Sequence, residues 1–84
     1  MSKTIHIDLE DDVFLCMQKD PRSLAAEMRL AAAVKWYECG MLSQEKAAKV
    51  AGMSRAEFIA NLARFQVSPF QETKEDVLSA LKQG

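Results

Sequence analysis

Residues 44–63 read Gln-Glu-Lys-Ala-Ala-Lys-Val-Ala-Gly-Met-Ser-Arg-Ala-Glu-Phe-Ile-Ala-Asn-Leu-Ala. This spacing predicts a helix-turn-helix. Ser43 is a natural N-cap, and a helix is expected from Gln44 to about Ala51. Gly52 breaks it and supplies the positive φ that a tight turn needs. Ser54-Arg55-Ala56-Glu57 has the form of a capping box and starts a second helix. That helix carries Phe58, Ile59 and Leu62 and fades near Phe65. The small Ala48 allows close approach, and Met53, Phe58 and Leu62 would fill the angle between the two helices. On the outer face, Ser54 and Arg55 suit phosphate or base contacts. Ile59, Ala60 and Ala63 stand where a groove-reading helix would be polar. That apolar strip suits a protein partner instead, so DNA and protein both remain open as its target.

Upstream, Asp20 can cap a helix with Pro21 at its first position. The helix is expected to reach about Glu38 and stop at Gly40. From Leu30 to Tyr37 only Lys35 is charged. A helix apolar on nearly every side is buried on nearly every side. In so short a chain this predicts a second copy, with Leu30, Val34 and Tyr37 at the contact. Residues 11–18 predict a shorter helix, with Asp11 and Asp12 in the first turn where the helix dipole favours them.

Residues 3–9 alternate polar and apolar, which is the period of a strand. Ile5, Ile7 and Leu9 fall on one face; Thr4, His6 and Asp8 fall on the other. A lone strand leaves its backbone groups unpaired, and the simplest partner is the same strand of a second copy. Strand, helix and helix in this order is the layout of a ribbon-helix-helix, whose paired strands enter the DNA major groove. Lys3, Thr4 and His6 would then contact DNA. Asp8 argues against contact, since it accepts only from a cytosine amino group and repels phosphate. A ribbon that only holds a dimer together fits the same pattern. His6 on a polar face is also what a plain solvated side chain looks like.

Downstream, Ser68-Pro69 marks a linker. Phe70 precedes a last expected helix opening at Thr73, with Val77, Leu78 and Leu81 on one face. Such a segment docks into a partner's groove or folds back on its own domain. With Ile59, these four residues are the expected partner contacts. The chain thus divides into a strand-helix-helix motif (1–40), a helix-turn-helix-like motif (41–66) and a linker with an amphipathic helix (67–84). The fold class expected is mainly α: one N-terminal strand pairing across a dimer, then four to five helices.

Composition narrows the function. The chain has 84 residues, 49% of them hydrophobic, and oligomerisation is a common way to cover so much apolar surface. Net charge is −1, which is not the basic footprint of a free-standing nucleic-acid binder. DNA binding would have to come from a local patch, from dimerisation or from a partner's charge. Cys16 and Cys39 lack metal-site spacing and fit reduced thiols in a cytosolic protein. No apolar run approaches the ~20 residues that cross a bilayer. No basic stretch precedes an apolar one as in a secretory signal, so a cytoplasmic protein is expected. One His, no glycine-rich phosphate loop and no converging carboxylates offer no catalytic constellation. Asp11 and Asp12 are adjacent and point apart on a helix. No enzyme activity, cofactor, metal or small-molecule substrate is expected.

The pattern as a whole resembles a family of short bacterial and archaeal proteins regarded as VapB-like antitoxins. The resemblance covers about residues 3–65. It is sharpest at Leu42-Ser43, Lys46-Ala47-Ala48, Ala51-Gly52-Met53-Ser54 and Glu57-Phe58. It implies a homodimeric DNA-binding regulator, paired with a toxin of the PIN-domain nuclease class.

Overall fold

A computed structural model of the chain describes residues 1–70. Four α-helices follow one another: α1 (Asp11–Met17), α2 (Pro21–Glu38), α3 (Gln44–Ala51) and α4 (Arg55–Leu62). A 3-10 turn, Ala63–Phe65, continues α4. The mainly helical class is as the sequence predicts. The last expected helix, with Val77, Leu78 and Leu81, lies outside the described residues.

Three helices start where local chemistry says they should. The Asp20 carboxylate accepts from the Ser23 N–H at 2.8 Å, and Pro21 opens α2. Ser43 Oγ accepts from the Lys46 N–H at 3.2 Å. Ser54 Oγ accepts from the Glu57 N–H, and Glu57 Oε1 accepts from the Ser54 N–H, both at 3.1 Å. Each bond satisfies a backbone donor that the helix itself leaves unpaired. Gly52 turns the chain between α3 and α4 with φ +75°. A Cβ there would also sit 3.1 Å from the Arg29 guanidinium nitrogens. Arg29 occupies that space because it closes the end of α3: Nε donates to Val50 O at 2.8 Å, and a terminal nitrogen donates to Lys49 O at 3.4 Å. A cation over the last carbonyls is favourable there.

The core is made by α2, α3, α4 and the chain just after them. Leu30, Ala33, Val34 and Tyr37 of α2 meet Ala47, Ala48 and Ala51 of α3, Phe58 and Leu62 of α4, and Val67. The alanine face of α3 lets α2 lie close against it. Phe58 is wholly enclosed, and its ring meets that of Tyr37 edge to face at 5.9 Å between centroids. Burying one such ring contributes about 1.5–3 kcal/mol, and the edge-to-face geometry suits the aromatic quadrupoles.

Two expectations are corrected. Leu30, Val34 and Tyr37 were assigned to a contact between copies, but they are buried inside the single chain. That side of α2 is covered by α3, α4 and Val67. The strand over residues 3–9 does not form, and no strand is present among the described residues. Strand hydrogen bonds are made between two segments, and the described residues offer no second one. Ile5 and Ile7 are left 83% and 62% exposed, and Leu9 is half-buried. α1 likewise buries no residue, and Leu15 is 78% exposed.

Candidate functional site

Helices α3 and α4 form where the sequence predicts them, and Gly52 turns the chain between them. Its segment, residues 44–63, carries three basic residues, Lys46, Lys49 and Arg55, and two acidic ones, Glu45 and Glu57. All five are exposed. The local balance is therefore slightly positive in a chain that is slightly negative overall.

Ser54 and Arg55 come together at the start of α4. The backbone acceptor role of Ser54 Oγ is taken by the helix cap, which leaves its O–H as a donor. The Ser54 N–H is taken by the Glu57 carboxylate. That bond holds the Glu57 carboxyl below its ordinary range. An anion already sits on this helix start, so the backbone there is taken and the cation beside it is the Arg55 side chain. Arg55 is exposed, and its Nε donates to Gln44 Oε1 at 3.0 Å. One of five guanidinium donors is thereby used to aim the group, and the two terminal nitrogens carry the other four.

Lys3, Thr4 and His6 are exposed on the N-terminal arm. Among the described residues, no hydrogen bond or ion pair joins them to α4, so the single chain does not assemble one surface from the two sets. Of the expected partner contacts, Ile59 is half-buried and Phe70 is exposed; Val77, Leu78 and Leu81 lie outside the described residues. Ala56, Ala60 and Ala63 are exposed on α4 and just after it, so the outer face is as apolar as the sequence suggests. A shallow groove between α2 and the chain after α4 is lined by Ala31, Val34, Lys35, Glu38, Phe65 and Val67. Its floor is apolar and its rim is charged.

Two contributors escape a reading of the sequence. Gln44 looks like an ordinary first residue of a helix, yet it is 5% exposed. Its Nε2 donates to Pro69 O at 2.7 Å and to Tyr37 Oη at 3.2 Å. Tyr37 Oη in turn donates to Pro69 O at 3.0 Å. Arg64 reaches back to Glu27 of α2 at 3.0 Å and lies over the Phe65 ring. The Gln44–Pro69 and Arg64–Glu27 contacts span 25 and 37 residues, and no local pattern announces them.

No cluster of three or more metal-ligating side chains occurs among the described residues. Nor is any helix among them long and apolar enough to cross a membrane. No curated protein and no solved structure matches the chain. One family model matches residues 1–83, and the chain belongs to that family, described as Uncharacterised protein family (UPF0175).

Proposed function

We propose that the protein is a dimeric DNA-binding regulator of the antitoxin kind. The observation that carries this reading is the exposed Arg55 at the start of α4, the second of two helices joined at Gly52, held on Gln44. Two copies would pair their N-terminal arms through Ile5, Ile7 and Leu9, of which Ile5 and Ile7 are exposed in one chain. Pairing would supply the missing strand partner and turn residues 3–9 into a ribbon. It would also place Lys3, Thr4 and His6 on one two-fold surface. Two copies double the number of cations at the operator, which answers the near-neutral charge of one. The C-terminal region would cover a PIN-type toxin, as the resemblance implies. Its first anchor would be the exposed Phe70.

A mobility-shift assay on DNA upstream of the protein's own gene tests this. A shift at low salt that weakens steeply as salt rises is expected, because released counterions drive phosphate binding. No shift with a verified dimer at low salt removes the DNA claim.

A second reading is favoured by a specific observation. The exposed face of α4 is alanine-rich, and Glu57 occupies the helix start that a phosphate would use. On this reading the unit is a protein-interaction module, and α4 with the groove beside Phe65 and Val67 receives a partner. Recovery of a protein complex free of nucleic acid, from cells expressing the full chain, would select it.

A further inference from the structure

Gln44 joins three parts of the molecule. Tyr37 belongs to α2, Arg55 begins α4, and Pro69 lies two residues past the core residue Val67. Arginine offers only donors and a backbone carbonyl only accepts. A primary amide bridges the two because it carries one of each. The orientation of the Gln44 amide is thus fixed. Turned over, its oxygen would face the Pro69 carbonyl and its NH2 would face the Arg55 N–H. Gln44 itself is buried, so each bond its amide leaves unmade is costly. Tyr37 Oη can accept or donate and so suits either orientation, whereas the Pro69 carbonyl suits only the one that aims the amide oxygen at Arg55.

Pro69 is followed directly by Phe70, which is 73% exposed. Val67 pins the same segment into the core, and Gln66 begins it in a left-handed conformation at φ 56°. We propose that Gln44 is a positioning residue that couples residues 67–70 to Arg55. A protein partner that grips Phe70 and draws this segment off α2 withdraws the Pro69 carbonyl, frees the amide to turn, and loosens Arg55. In the DNA-binding reading, on which this consequence rests, such a partner lowers affinity for DNA. By linkage, DNA held by Arg55 lowers affinity for the partner by the same factor.

The test uses the full-length chain and needs no identified partner. The probe is exchange of the Arg55 Nε–H with water, followed by NMR. Val67→Asp displaces the segment; Tyr37→Phe is a milder displacement that keeps the ring against Phe58. Exchange is expected to quicken about tenfold in Val67→Asp, within the usual range of coupling between sites, and by less in Tyr37→Phe. Gln44→Glu should restore slow exchange in either background, because a carboxylate holds Arg55 without help from Pro69. Unchanged exchange in folded Tyr37→Phe and Val67→Asp proteins overturns the coupling, whatever happens with DNA. A second arm measures binding to upstream DNA. Quickened exchange with DNA affinity unmoved by Arg55→Ala establishes the coupling and sinks the DNA reading.

Discussion

The N-terminal arm with α1 and the unit built from α2, α3 and α4 use the same kinds of side chain to opposite ends. In the α2–α4 unit Leu30, Val34, Phe58 and Leu62 are all covered by residues of their own chain. In the arm and α1, Ile5, Ile7, Leu15 and Met17 are exposed. The helix starts differ in the same way. α2, α3 and α4 are each capped by a side chain, whereas Glu10 at the start of α1 makes no side-chain cap. Apolar residues alone do not make a core; they need a surface at the right distance. The α2–α4 unit carries its own second surface, and the arm does not.

If that difference is real, removing a side chain from the α2–α4 unit should be far more damaging than removing one from the arm. Phe58→Ala is the largest expected effect. Deleting an enclosed ring costs about 3–5 kcal/mol, combining lost burial with the cavity left behind. Much of the stability of a small domain is of that size. Urea unfolding followed by circular dichroism should show the midpoint collapse or the transition vanish. A shift of less than about 1 kcal/mol, the centre of ordinary point mutations, would mean that this unit is not the stable part of the molecule.

The arm predicts the reverse pattern. Ile5→Asp combined with Ile7→Asp should leave the urea midpoint of the monomer nearly untouched, within about 0.5 kcal/mol, since both sites are exposed. The same pair should abolish association, because two aspartates per chain would face two more across the ribbon. Sedimentation at micromolar concentration reads this directly. A dimer that survives the double substitution places the interface elsewhere and ends the ribbon model. A monomer destabilised as much as by Phe58→Ala would show that the arm packs on its own chain after all.

The comparison also explains what could be read from the sequence. Caps and turns depend on neighbours three or four residues apart, so Asp20, Ser43, the Ser54–Glu57 box and Gly52 were all legible. The type and order of α2, α3 and α4 followed from them. Which apolar face meets which was not legible. Leu30, Val34 and Tyr37 announce burial in either setting, and nothing local says whether the cover is α3 or another copy. The strand over residues 3–9 failed for a related reason: alternation describes one segment, while a strand exists only as a pair. At the candidate site, Ser54 and Arg55 were visible as a helix start. The Gln44 amide that aims Arg55 was not, because its partners Tyr37 and Pro69 are 7 and 25 residues away.

The smallest expected effect separates the two regions by pH. Hydrogen bonds from backbone and side chain of Ser54 lower the Glu57 carboxyl below its ordinary value. Those from Ser23 do the same for Asp20. A carboxyl whose folded value is depressed stabilises the fold fully above its unfolded value, near about 4 for these side chains. That contribution fades as pH falls through the lower folded value. Both groups are on the surface, so the loss should be a modest drop in melting temperature, beginning near pH 4 and continuing below. Glu57→Gln keeps an oxygen to accept from the Ser54 N–H, as a capping box permits, but cannot be protonated in this range. The acid-induced drop should shrink to the part owed to Asp20. Melting curves recorded from pH 6 down to pH 2.5 on both proteins decide it. An equal drop in the two would mean that the box contributes nothing at the start of α4, and that its cap is no better than the bare start of α1.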